Sequence, residues 1–192
     1  MSQYIENKYE ILPQKSYEII RNCPKCGCKT NYINTNNFRV NANGNALDVW
    51  LIYQCEKCKH TYNITIYERI KPSAIDKQEY IKFLSNDSDL AFEYGTSKEL
   101  FSKNKAVIDG EKVTYDLLFH KEEHERHDIK RRITIKNSYG LKIRVDKILC
   151  EILRISRSKI KCMIKERVIY SDEYDKLDKM YVGKELKINI VG

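Results

Sequence analysis

The chain lacks any long apolar run. None of its 192 residues lies in a stretch that approaches the roughly 20 apolar residues of a membrane-spanning helix. No early apolar run resembles a signal peptide either. Glycine-rich phosphate loops, nucleophile elbows and zincin patterns are also missing. We therefore expect a soluble, cytoplasmic protein that does not bind membranes and is not an enzyme.

The chain also lacks the even number of cysteines expected of a disulfide framework. It has seven, so at least one cysteine has no disulfide partner within the chain. Four of the seven form two C-x-x-C pairs, the first hook from Cys23 to Cys26 and the second hook from Cys55 to Cys58. This usage is typical of a reducing compartment.

The two hooks predict a structural zinc ion. Each hook sets two thiolates on one side of a tight turn, and four thiolates close the tetrahedral shell of Zn²⁺. The residues between the hooks predict a hairpin, because Phe38 leads to the Asn43-Gly44 turn and residues 47–53 return to the second hook. Residues 61–67 alternate between apolar and polar types and would add a third strand.

The segment from Phe38 to Cys55, with Cys23-Pro24-Lys25-Cys26 before it, resembles a bacterial family of domains of unknown function, number 1062. The resemblance is clearest from the first hook to about Pro72. It implies a zinc ribbon at the start of the chain, and it implies no activity.

Changes in composition divide the chain into three predicted parts. Pro72 disfavours helix before it and Ser73 can cap a helix after it, which predicts a boundary there. We expect residues 1–72 to form the zinc ribbon. Residues 73–137 are expected to be a helical connecting segment with three short helices, and residues 138–192 a small α/β module that resembles an RNA-binding domain. The predicted fold class is α+β.

A charged run contains three of the four histidines. On a helix, His120, His124 and His127 would share one face, a spacing from which imidazoles bind metals. The alternative is a solvated segment of mixed charge, which we prefer because no catalytic motif accompanies the run. A metal-dependent enzyme at these histidines is the last of the functions considered. Cys28 and His60, beside the hooks, are interpreted as bystanders.

Positive charge is concentrated in one stretch of the chain. From Lys130 to Arg167 there are thirteen basic and three acidic residues, a net charge of +10 in a chain whose total is +8. Residues 146–155 place apolar side chains on one helical stripe, and Ser156 can cap a second helix. Basic residues recur every four positions on that helix, a spacing that can follow a phosphate backbone.

The order Arg144-Val145-Asp146, Ser156-Arg157-Ser158-Lys159, Val168-Ile169 and Val182-Gly183-Lys184 resembles the small RNA-binding domain first described in ribosomal small-subunit protein four. The resemblance covers about residues 140–192. It implies a helix pair that binds structured RNA by its shape and backbone, and ribosomal and transfer RNA are candidate targets. The predicted RNA contacts are Arg144, Lys147, Arg154, Arg157, Lys159, Lys161 and Lys165.

Two interpretations of function remain open at this point. In the first, the protein binds RNA and does not catalyse a reaction. Arg39, Trp50 and Tyr53 of the ribbon could then add a contact, although Trp50 and Tyr53 are better explained as core. In the second, the protein is an adaptor whose ribbon docks a protein partner and whose basic helices meet an acidic protein surface. An RNA partner predicts a steep salt dependence of binding, which the adaptor does not.

Overall fold

The structure, a computed structural model, describes residues 5–121 and 130–191. It confirms the predicted α+β class, with two five-stranded sheets in the described ranges. The strands are β1 (Ile5–Pro13), β2 (Ile19–Cys23), β3 (Cys28–Asn43), β4 (Ala46–Cys55), β5 (Thr61–Ile70), β6 (Val107–Ile108), β7 (Tyr115–Lys121), β8 (Lys130–Lys136), β9 (Ile169–Tyr170) and β10 (Glu185–Val191). The α-helices are α1 (Lys77–Ser85), α2 (Ser88–Gly95), α3 (Lys98–Lys103), α4 (Val145–Leu153) and α5 (Arg157–Lys165). None of the helices in these two ranges has both the length and the apolar content needed to cross a membrane.

The chain forms two compact units. The terminal unit consists of Met1–Leu12 with Tyr115–Gly192, and the central unit of Pro13–Thr114. These limits differ from the expected boundaries after residues 72 and 137. In the described part of the segment expected to be a helical connection, the helices are the 3-10 turn Pro72–Ala74 and α1, α2 and α3. The later residues of that segment form the strands β6, β7 and β8.

The central unit is an antiparallel sheet covered by three helices. Its strands lie in the order β5-β4-β3-β2-β6. In β4 every second residue is buried, as expected for a strand with one face on the core. The helices cover this face, where Phe83 of α1 packs edge to face on Phe38 and Phe101 of α3 on Tyr53. Aromatic pairs of this geometry add to the stability gained by burial.

Side-chain caps set the starts of the three helices in the central unit. The Asp76 carboxylate accepts hydrogen bonds from the backbone N–H groups of Gln78 and Glu79 at the start of α1. Asp87 and Ser97 accept in the same way at the starts of α2 and α3. The helix boundaries are therefore encoded locally, and the three predicted helices are confirmed.

The terminal unit joins the two ends of the chain in one sheet, in the order β7-β1-β8-β10-β9. β1 runs parallel to β8, while β10 is antiparallel to both β8 and β9. The buried side chains of Ile133 and Ile135 in β8 and of Ile188 in β10 form its core with Ile148 and Leu149 of α4. The helix pair α4 and α5 follows the predicted order, and the Ser156 hydroxyl accepts from Lys159 N–H as the cap of α5.

Gly95 ends α2 at a position where two segments meet. Its carbonyl accepts a hydrogen bond of 2.8 Å from the Tyr17 N–H. A Cβ at Gly95 would overlap the Ser16 Oγ and lie 2.7 Å from the Asn34 Nδ2. A side chain here therefore has to displace the segment before β2.

We expect Gly95→Ala to lower the free energy of unfolding by about 1–3 kcal/mol, the usual cost of overpacking a core. Urea denaturation would measure the change. Gly110→Ala is the matched control, because a Cβ at Gly110 meets no atom within 4 Å. Equal losses of stability in the two variants would contradict the packing described for Gly95.

Candidate metal centre and basic surface

Both hooks are tight turns of the same kind. In the first, the Gly27 N–H donates to the Cys23 carbonyl at 2.9 Å, and in the second the Lys59 N–H donates to the Cys55 carbonyl at 3.0 Å. Gly27 and Lys59 both have positive φ, 67° and 61°. The left-handed residue after each second cysteine reverses the chain and leaves both sulfurs of the hook on one side.

The sheet brings the two hooks together. Tyr32 of β3 lies opposite Cys55 of β4, while Cys23 ends β2, the strand that pairs with the other edge of β3. The four sulfurs all lie within 4.8 Å of one another. The Sγ of Cys23 is 3.4 Å from that of Cys58, and the Sγ of Cys26 is 3.9 Å from that of Cys55. A Zn–S length of about 2.3 Å in a tetrahedron requires sulfurs about 3.8 Å apart, so the cluster fits this ion.

The thiols of the first hook have pKa values shifted in opposite directions. Burial raises the pKa of Cys23, but the Tyr32 hydroxyl and the backbone N–H groups of the first hook outweigh it and lower this pKa to about 6. The hydrogen bond with the Cys58 thiol, together with burial, raises the pKa of Cys26 to about 12. Since metal ligands must be thiolates, binding of a metal here releases protons.

Cys28 and His60 lie outside the cluster. In the described part of the chain the group of possible ligands contains only the four cysteines of the hooks. Cys28 is exposed, and His60 is exposed beyond the second hook. Their interpretation as bystanders is consistent with these positions.

Two charged networks support the hooks, and sequence reasoning missed both. The Arg21 guanidinium lies 3.4 Å from the centre of the Tyr62 ring and 5.4 Å from that of Tyr32, which adjoins Cys23. On the second hook, the Lys112 ammonium lies 3.2 Å from Glu56 and 2.9 Å from Glu18. Burial raises the pKa of Glu18, but Lys15, Lys112 and Asn31 together lower it to about 2.

A buried carboxylate organises the basic surface of the terminal unit. Asp146, in the first turn of α4, is fully buried. Its oxygens accept two hydrogen bonds from Arg157, at 2.6 and 3.0 Å, and two from Arg144, at 3.0 and 3.1 Å. The bonds from Arg157, followed by those from Arg144, hold the pKa of Asp146 far below its usual range despite burial. Asp146 therefore links the starts of α4 and α5.

The seven predicted RNA contacts fall into two groups. Arg144 and Arg157 pair with Asp146, and the Lys147 ammonium lies 5.2 Å from the centre of the Tyr115 ring. These three side chains have structural partners. The others are exposed at the end of α4 or on α5, and they are Arg154, Lys159, Lys161 and Lys165.

His120 does not lie in the helix that a metal site at the three histidines would require. His120 lies in strand β7 and not in a helix, and its Nε2 is 4.0 Å from an oxygen of Glu10. His124 and His127 lie outside the described residues. A strand points neighbouring side chains to opposite faces, so the helical face assumed for the three histidines does not begin at His120.

The Asp146 pair predicts different effects for two basic residues of α5. Arg157→Ala should lower Tm, because a buried carboxylate then loses two of its hydrogen bonds. Lys161→Ala, one turn later on the exposed face, should leave Tm nearly unchanged. Thermal unfolding at neutral pH measures both, and equal Tm values in the two variants would contradict the structural role of Arg157.

The same pair predicts a pH dependence. Because the pKa of Asp146 is lower in the folded chain than its usual 3.8, its contribution to stability is present above that value and is lost as the pH falls below it. The difference in Tm between the parent and Asp146→Asn should therefore shrink as the pH is lowered from about 5 to about 3. A constant difference would contradict this assignment.

Comparison with known proteins identifies one family. The model of the family described as "Protein of unknown function (DUF1062)" matches residues 40–175, well over half of the chain. The match begins after the first hook, so it covers only part of the segment in which the sequence resemblance is clearest, and it extends past Pro72 to include β5 and the helix pair. No curated protein and no solved structure matches the chain, and the likeness to the RNA-binding domain of ribosomal small-subunit protein four stays a prediction. The chain belongs to the DUF1062 family.

Proposed function

We propose that the protein binds structured RNA through the exposed face of α5 and holds one structural zinc ion in its four-cysteine cluster. It acts in the cytoplasm and catalyses no reaction. The observation that carries the proposal is the net charge of +10 between Lys130 and Arg167, combined with the exposure of the lysines on α5. Positive charges concentrated in this way repel one another, and a bound polyanion relieves the repulsion.

The geometry of α5 supports a phosphate contact. Ile160 is buried while Lys161 and Lys165, four residues apart, are exposed. Residues at this spacing are neighbours on one helix face. Flexible ammonium groups on such a face can reach successive phosphates. We assign these lysines the main share of the affinity.

Arg144 and Arg157 would make a second, more rigid contact. About half of each side chain is exposed, 40% for Arg144 and 52% for Arg157. Asp146 neutralises one of the two charges and fixes both guanidinium planes. The remaining N–H groups are then held in place for a phosphate oxygen at little cost in side-chain entropy.

The zinc ion would act as a structural ion in a zinc ribbon. Four thiolates leave no open position for a substrate or water. All seven cysteines are free thiols, which fits a reducing compartment. The ion would connect β2 with the end of β4, and so fix one end of the central sheet.

A protein-interaction adaptor is the second candidate, and one observation favours it. Ile81 and Leu84 of α1 are 56% and 58% exposed. Ile81 also lines a pocket of about 360 Å³ together with Leu47, Ile75 and Tyr80. Exposed apolar groups of this kind occur at protein interfaces. An adaptor that uses this surface would purify without nucleic acid.

Zinc binding can be measured directly. We expect about one equivalent of zinc per chain by mass spectrometry of the metal, and a loss of most of it in Cys58→Ser, because three thiolates leave the shell open. Cys28→Ser is the matched control and should keep the parent's zinc content. A zinc-free parent purified without chelators, or equal loss in both variants, would contradict the metal centre.

RNA binding is tested with two lysines whose removal does not disturb Asp146. In Lys161→Gln/Lys165→Gln the affinity for a hairpin RNA should fall. The slope of log affinity against log salt concentration should also fall, by about one for each lysine that binds a phosphate in the parent. Fluorescence anisotropy at several salt concentrations measures both quantities.

The matched control is Lys77→Gln/Lys82→Gln, which removes two exposed charges from α1 of the central unit. If RNA binding depended only on the total charge of the chain, the two double variants would lose affinity equally. That result, or an unchanged salt slope in the α5 variant, would overturn the assignment to α5. No detectable binding by the parent would favour the adaptor.

A further inference from the structure

One face of the central sheet is not used by the core. The helices pack on the side that carries Phe38 and Tyr53. Since side chains alternate along a strand, the intervening residues point to the opposite side, which we call the outer face. It is defined by three cross-strand rows, and these rows are Arg39 with Trp50 and Thr65, Ile52 with Asn63, and Gln54 with Ile33 and Thr61.

Trp50 lies in β4, between β3 and β5. It is the only tryptophan in the chain, and it is half-buried. The Arg39 guanidinium lies 5.8 Å from the centre of its ring. A cation beside an indole is a favourable pair, and the same two groups can bind a nucleotide, with the base on the ring and the phosphate on the cation.

The polar groups around Trp50 are available to a ligand. Among the described residues, the side chains of Gln54, Thr61 and Asn63 make no hydrogen bond to another protein group. Asp48, a carboxylate farther along β4, accepts a hydrogen bond from the Arg69 N–H at 2.8 Å. The outer face therefore combines a cation, a carboxylate, amides and hydroxyls with the side chains of Ile33 and Ile52, and its polar groups can hydrogen-bond to nucleobase edges.

We propose that the outer face binds unpaired nucleotides of RNA. A base stacks on Trp50, Arg39 contacts the adjoining phosphate, and the amides of Gln54 and Asn63 reach the edges of neighbouring bases. The inference rests on the proposed function in that its ligand is RNA. It uses a different unit of the chain, however, and a different kind of contact from the lysines of α5.

The single tryptophan makes the test specific. The whole 192-residue chain is titrated with an oligouridylate of about twelve nucleotides, a length within the usual site sizes for single strands, which forms no stable duplex. We expect saturable quenching of the Trp50 emission. Anisotropy of the labelled oligonucleotide should show about tenfold weaker binding by Trp50→Leu, in line with the usual contribution of one stacked base, and an intermediate affinity for Trp50→Phe.

Arg39→Gln should weaken binding of the oligonucleotide and lower its salt slope, while Lys77→Gln, on the helix-covered side, should bind as the parent does. Unchanged emission during the titration of the parent would overturn the inference even if Trp50→Leu does not fold. Parental affinity in a folded Trp50→Leu would overturn it as well.

Failure of this inference is separable from failure of the proposed function. Loss of hairpin binding in Lys161→Gln/Lys165→Gln, with quenching of Trp50 by the oligonucleotide retained, supports both surfaces. If the lysine variant loses both ligands and Trp50→Leu loses neither, the outer face is rejected and the α5 assignment stands. If the oligonucleotide quenches Trp50 but the lysine changes have no effect on the hairpin, only the outer face stands.

Discussion

The pairing of β3 with β4 is the constraint on which the central unit depends. At one end of the pair, Tyr32 lies opposite Cys55, and this register brings the hooks close enough for four sulfurs to meet. Farther along, Phe38 lies opposite Leu51 on the buried side, while Arg39 lies opposite Trp50 on the other. A slip of one residue would exchange the two faces. It would place the indole in the core and the buried aromatic residues in water, and it would separate the hooks.

In the terminal unit the corresponding constraint is one buried charge. Removing Asp146 from water is unfavourable unless its oxygens are fully hydrogen-bonded, and Arg144 and Arg157 supply those bonds. Two cations of the basic stretch therefore stabilise the fold through Asp146. The lysines of α5 make no hydrogen bond to Asp146. A partner can therefore bind them without disturbing the fold. The basic stretch thus contains arginines that order the structure and lysines that remain free to bind.

Local patterns predicted most of the elements, and distant contacts account for what they missed. The two hooks, the hairpin between them, and the Ser156 cap were predicted from a few residues each. The predicted cap at Ser73 was wrong, because Ser73 lies in a 3-10 turn and Asp76 caps α1. The parallel pairing of β1 with β8 places Ile5 opposite Arg131. The alternation of apolar and polar residues within one strand does not reveal which distant strand will pair with it. The roles of Arg144 and Arg157 were missed for the same reason, since Asp146 pairs with Arg157 only once α4 and α5 have packed. For Trp50 the information was present, because it lies three residues from Tyr53 and two strand residues at an odd spacing point to opposite faces.

The two surfaces proposed to bind RNA differ in what they can distinguish. Lysines on a helix contact phosphates, which every RNA has, so they supply affinity that falls with salt and carries little sequence information. An indole on a sheet stacks only with a base that is free to leave its own stack. The affinity of this contact depends less on salt because the contact is not ionic. A duplex could bind the lysines of α5 but not Trp50. An unstructured strand could bind Trp50 better than it binds the lysines. The proposed lysine contact therefore governs how strongly the affinity depends on salt, and the proposed indole contact governs whether the RNA must offer an unpaired base.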